Sequence, residues 1–166
     1  MTADIIFYSP SADNAPALSQ IKESYQYLHG FLSSIGMAPS SGLKACWGKL
    51  QFQQAIKEAI STSRLIVVMD SYENYPNTAK DIICKGIGCK MVCNEKLLDK
   101  IEKKSRIPRS DMSEQLMHIS YVPQNSKVFE NPIGSEPAIL LTAGKQSILI
   151  LPYQINMIKA LFDDSL

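Results

Sequence analysis

Asp70 and Glu73 stand three positions apart at the end of the most strand-like run of the chain, 64–70 (RLIVVMD). Two carboxylates on one loop can share a proton or a divalent cation, so the pair is the candidate for metal binding or general acid and base chemistry. An aspartate at a strand end has a second use, accepting from backbone N–H groups to cap the next turn, and the spacing serves both. Around the pair, Ser71, Tyr72, Asn74 and Asn77 offer hydroxyl and amide groups to a ligand. Asn77 followed by Thr78 also reads as the N-cap of a helix.

A second loop, Asn131-Pro132-Ile133-Gly134-Ser135-Glu136-Pro137, has the composition of a prepared ligand surface. Gly134 permits a backbone approach that a Cβ would block, and the two prolines restrict the loop before anything binds. Asn131, Ser135 and Glu136 would then be held in place for a ligand. Ser9 opens a third polar loop, 9–17, after the first strand. Ligands of open α/β sheets gather at the carboxyl ends of central strands, so loops 9–17, 71–77 and 131–137 are expected to converge.

Other reactive residue types have simpler readings. Lys85-Gly86-Ile87-Gly88 contains a GxG, but at a helix end, where it is a C-cap signal and not a phosphate cradle. Lys100, Lys103, Lys104, Arg106 and Arg109 could attract phosphate, yet Asp99 and Glu102 interleave them as on a solvated helix face. Cys46, Cys84, Cys89 and Cys93 match no common zinc spacing and read as reduced, mostly buried thiols. His29 and His118 have no partner that spacing identifies, and no GxSxG nucleophile turn occurs. Trp47, Tyr72 and Tyr153 could stack on a ring system or pack at the core and its rim.

These residues must be positioned by alternating strands and helices. Residues 4–8 (DIIFY) form a buried strand, and 18–35 carry apolar residues at three- and four-residue steps, an amphipathic helix ending at Gly36. A weak strand at 44–47, a helix at 50–60 and the central strand 64–70 follow, then a helix at 78–85 closed by Gly86 or Gly88, a strand at 90–93 and helices at 95–104 and 111–118. The last third turns β-rich, at 127–129, 139–141 and 147–151, before a terminal helix at 154–162. The pattern predicts an α/β fold, a three-layer α/β/α sandwich with a mostly parallel sheet and a late antiparallel hairpin.

The 166 residues fit a single domain, 1–166, with a sizeable core. Seventeen basic against 16 acidic residues leave a net charge of +1, too weak a field to draw in nucleic acid or an anionic membrane. No apolar run reaches the roughly 18–20 residues of a membrane span, and no basic region precedes a cleavable apolar stretch, so the expected location is the cytoplasm.

With its elements in this order the chain resembles the molybdopterin-binding domain family, within it most closely the competence-damage-inducible branch. The resemblance is sharpest over 122–152, where the Asn-Pro-hydrophobic-Gly-Ser loop is followed by a hairpin and a strand ending in Leu-Pro; Leu65 to Val68 and KGIGCKMV (85–92) match as well. It implies a pterin or nucleotide ligand such as molybdopterin, assembly as a homo-oligomer (dimer or trimer), and in this branch metal-dependent hydrolysis of ADP-ribose-like dinucleotides with magnesium. The departures fall on the ligand loops. The family's Gly-Gly-x-Gly loop is replaced by 69–77 without a glycine, its acidic residue is read at Pro76 or Asn77, and Ser9-Pro10-Ser11, Cys46-Trp47 and Pro152-Tyr153-Gln154-Ile155 replace three other signatures. Without Gly-Gly-x-Gly the loop lacks a close N–H-lined path to phosphate. The expectation is a divergent molybdopterin-binding-like protein that binds a small phosphorylated or heterocyclic ligand, nucleotide or pterin, without the usual catalytic loop. The alternatives are a pyrophosphatase in which Asp70 and Glu73 supply the missing acid, and a non-catalytic oligomeric scaffold.

Overall fold

The computed structural model describes residues 2–39 and 41–164. Strand β1 (Thr2–Ser9) pairs in parallel with β4 (Leu65–Asp70) on one side and with two short strands, β2 (Ala38–Pro39) and β3 (Lys44–Trp47), on the other. Strand β9 (Gln146–Pro152) pairs in parallel with β4, then β8 (Ala138–Ala143) and β7 (Lys127–Phe129) extend the sheet in antiparallel fashion. The expected sandwich with its late hairpin is therefore the observed fold.

The sheet is apolar on both faces because each central strand alternates its burial between two helical layers. Ile5, Phe7, Val67, Met69, Leu149 and Leu151 pack with α1 (Leu18–Ser34) and α6 (Ile155–Asp164) through Ile21, Leu28, Leu32, Ile158 and Leu161. Ile6, Tyr8, Ile66, Val68, Ile148 and Ile150 face α2 (Lys49–Thr62), α3 (Ala79–Ile87) and α4 (Glu95–Ser105). Burying an isoleucine or leucine on either face contributes about 1.5–3 kcal/mol, which is why the strands read as continuous apolar runs. Phe52 of α2 packs its ring 4.5 Å from that of Tyr8.

Three expectations change. The strand at 90–93 is not part of the main sheet: β5 (Met91–Cys93) forms an antiparallel ribbon with β6 (Tyr121–Pro123). The helix expected at 111–118 is a 3-10 turn (Arg109–Asp111) and then α5 (Glu114–His118), which starts where Ser113 Oγ accepts from Leu116 N–H at 3.1 Å. Finally, the N-cap position of α3 is Thr78 and not Asn77, with no cap from the Thr78 side chain, and the helix runs to Ile87 before Gly88 turns left-handed. No helix among the described residues is long and apolar enough to cross a membrane.

Candidate functional site

Strands β1, β4 and β9 run the same way, so the loops leaving them open on one edge of the sheet. There a cleft of about 340 Å³ is lined by Ser9, Asn14, Ser71, Glu73, Asn74 and Tyr153 over the floor of Phe7 and Tyr8. Loops 9–17 and 71–77 thus meet as expected. Ser9 Oγ donates to Ser11 O at 2.8 Å, folding the first loop back on its strand. Ser71 Oγ accepts from Glu73 N–H at 3.2 Å and starts a 3-10 turn (Tyr72–Asn74) that turns the exposed Glu73 to the cleft. The Tyr8 hydroxyl donates to Asn77 O at 2.9 Å, tying the far end of the second loop to β1. Tyr153 anchors its N–H on Asp70 O at 3.1 Å and sets its ring edge-on to Phe7 at 6.3 Å. Burial, then Glu73 and Glu136, push its phenol up.

Asp70 turns to the other side of this loop. Its Oδ2 accepts from the Ala79 N–H and its Oδ1 from Asn74 Nδ2, both at 2.7 Å, so the carboxylate caps the start of α3. Burial raises its pKa to about 6, moderated by those hydrogen bonds and by Lys80. With both Asp70 oxygens engaged and Glu73 facing the larger cleft, the pair does not converge on one cation. Among the described residues, no group of three or more His, Cys, Asp or Glu is arranged to hold a metal.

Beside Asp70 lies a cavity of about 50 Å³ whose wall includes Thr78, Lys80, His118 and Glu136. The buried Lys80 ammonium donates to His118 O at 2.6 Å and Tyr121 O at 2.7 Å, clamping α3 to α5 and β6. Burial lowers its pKa to about 8. Glu136 Oε1 accepts from Tyr72 N–H at 3.2 Å. Asp81 accepts from the Thr78 hydroxyl and pairs with His118 Nε2 at 2.7 Å. Burial opposes its ionisation, but these two partners prevail and hold its carboxyl below the usual range. The His118 ring lies 4.9 Å from Tyr75 and stacks at 6.1 Å on Tyr121.

Lys80 and Asp81 were not candidates from the sequence, and Thr78 and His118 had no assigned partner. One signal was legible, because Thr78-x-x-Asp81 is the spacing of a helix start. Thr78 stands at the N-cap position of α3 and Asp81 in its first turn.

The third loop divides. Glu136 reaches the Asp70 cavity, whereas Asn131, Gly134 and Ser135 border α4, away from the 340 Å³ cleft. Buried Asn131 accepts Ile133 N–H on its Oδ1 at 3.1 Å, and Lys104 Nζ donates to the carbonyls of Asn131 (2.6 Å) and Gly134 (2.9 Å). Part of the basic cluster is spent in the same way: Arg109 bridges Glu95 and Asp99, and Lys100 pairs with Glu130. Gly134 makes room for a neighbour within the fold, since a Cβ there would come within 2.9 Å of Met157 Cε and 3.2 Å of Asn131 Nδ2. Gly134→Ala is expected to lower stability by about 1 kcal/mol, the low end for overpacking because the Met157 tip can yield. Urea unfolding reads this directly, and a variant as stable as the parent would show the contact to be slack.

No family model matches the chain. It is similar to a CinA-like protein of Thermosipho melanesiensis, 31% identical over 87 residues, 52% of this chain and 22% of that one. The chain spans less than half the length of the first curated relatives it matches. Among solved structures, CinA from Thermoplasma acidophilum superposes with a TM-score of 0.78 at 19% identity, over 98% of this chain and 93% of that one. A molybdenum cofactor biosynthesis protein B superposes with a TM-score of 0.50 at 15% identity, over 98% and 86%.

Proposed function

We propose that this chain, a CinA-like domain of the molybdopterin-binding-like fold, is a binding module for a small heterocycle, held by a hydrogen-bonding edge and not by a phosphate. The observation that carries the reading is the lining of the 340 Å³ cleft: hydroxyls, amides, one carboxylate and an aromatic wall, with no lysine or arginine. A phosphate entering it would lose its hydration shell to no cation. On this edge of the sheet the N-terminus of α3, which could also attract an anion, already holds the Asp70 carboxylate on the Ala79 N–H. Glu73 instead suits a ring that presents two adjacent N–H donors, as the 2-amino-4-oxo edge of a pterin or guanine does, with Ser71 and Asn74 beside it and Tyr153 against the ring face.

Calorimetric titration with a simple pterin, guanosine, and the 5′-phosphate of guanosine tests this. The unphosphorylated compounds are expected to bind as tightly as the phosphate ester, and Glu73→Gln to weaken them by about 10- to 100-fold, the worth of a charge-assisted hydrogen bond. Binding only by the phosphate ester, or affinity unchanged in Glu73→Gln, would overturn the reading. The same protein with magnesium or manganese is expected to leave ADP-ribose intact; turnover abolished by Asp70→Asn or Glu73→Gln would favour the pyrophosphatase instead.

A further inference from the structure

We propose that Cys84 and Cys89 form a dithiol site that closes reversibly to a disulfide at the carboxyl end of α3. The placement comes from how the helix stops. Gly88 adopts the left-handed conformation (φ 71°, ψ 30°), and both its N–H and that of Cys89 reach the Cys84 carbonyl, the latter at 2.9 Å. This turn brings the residue just past the helix against one in its last turn, where two side chains usually make an apolar contact. Here both are cysteines, and the neighbouring Cys89 thiol adds to burial in pushing the Cys84 thiol up. Cys84 is buried and Cys89 half-buried, so the outer sulfur is the one a reagent meets. Cys89 Sγ lies 3.5 Å from Lys90 O and 3.7 Å from Gln124 O, which fix it beside the end of β6. The other two thiols are engaged elsewhere: Cys93 Sγ contacts Ser120 Oγ at 3.8 Å, and Cys46 is buried on β3.

The oxidant is a low-molecular-weight disulfide. The Cys89 thiolate attacks one of its sulfurs, forming a mixed disulfide and expelling one thiolate. Cys84 then gives its proton to solvent, and its sulfur attacks Cys89 Sγ and expels the second thiolate. Two protein thiols are oxidised to one disulfide and the small disulfide is reduced to two thiols. Burial is the first cause that raises the Cys84 thiol pKa and it persists once Cys89 is capped, so closure is the slow step and its rate follows hydroxide.

The reduced full chain treated with oxidised glutathione, quenched with acid and digested with trypsin gives a direct readout, because Lys85 separates the two cysteines. The expected product is a cross-link between peptides 81–85 and 86–90 that dithiothreitol removes. Its formation should accelerate about tenfold per pH unit between pH 7 and 9. Cys84→Ser should stop at glutathione on Cys89, with a lifetime at least about tenfold longer than in the parent, and Cys89→Ser should lose the cross-link. A dominant Cys89–Cys93 link would overturn the proposal. So would a mixed disulfide at Cys89 that persists as long in the parent as in Cys84→Ser.

Discussion

Replacing Lys80 by alanine is expected to destabilise the fold by about 3–5 kcal/mol at pH 7, measured by urea unfolding. Lys80 is the buried cation of the α3 start, and its ammonium satisfies the carbonyls of His118 and Tyr121 at 2.6 and 2.7 Å. Removal strands both carbonyls and withdraws the positive charge that partly offsets the buried Asp70. It also frees α5 and β6 from α3, so His118 should lose its fixed position against Asp81. Lys80→Met, which keeps the aliphatic stem and loses the donors, separates packing from polarity and is expected to retain most of the loss. Stability within about 1 kcal/mol of the parent in Lys80→Met would mean that the ammonium contributes little.

The fold was legible because a parallel sheet covered on both faces leaves uninterrupted apolar runs. The apolar runs within 4–8, 65–68 and 147–151 need no periodicity to be seen, and β1, β4 and β9 are the strands they become. Short elements were misplaced: three-residue strands such as Met91–Cys93 carry too little pattern to reveal that their partner is the ribbon strand Tyr121–Pro123 and not the main sheet. At the site, the capping alternative for Asp70 was readable from its place at a strand end, and so was the meeting of loops 9–17 and 71–77. The Asp81–His118 pair was not, since it spans 37 positions and depends on how the segment between α3 and α5 returns. Proline and glycine at 131–137 restrict the backbone equally for a ligand or for tight packing. The residue that separates these uses at Gly134 is Met157, on a helix that the loop composition does not announce.

Glu136→Gln is expected to stabilise the protein at pH 8, by about 2–4 kcal/mol, and to flatten the fall in stability on the alkaline side of pH 5. Burial raises the Glu136 carboxyl from 4.5 to about 8, with Asp70 and Glu73 adding to the rise and the Tyr72 N–H and Lys80 opposing it. The folded protein therefore keeps a proton on Glu136 that the unfolded chain has released above about pH 4.5. The stabilisation from that proton is complete below the unfolded pKa and is lost as pH rises through about 8, at up to about 1.4 kcal/mol per pH unit. Asp70, raised to about 6, works in the same direction at lower pH. Lys80, lowered to about 8, has the opposite sign: its penalty for carrying charge is present below that value and relieved as pH rises beyond it. The parent should thus lose stability between about pH 5 and 8 and level off or recover above it, while Glu136→Gln keeps an acceptor for the Tyr72 N–H and removes the steepest part of the loss. Urea unfolding of both proteins from pH 5 to 9 measures the difference. Parallel curves would mean that Glu136 titrates as an ordinary carboxylate, with the cavity beside Asp70 open enough to hydrate it.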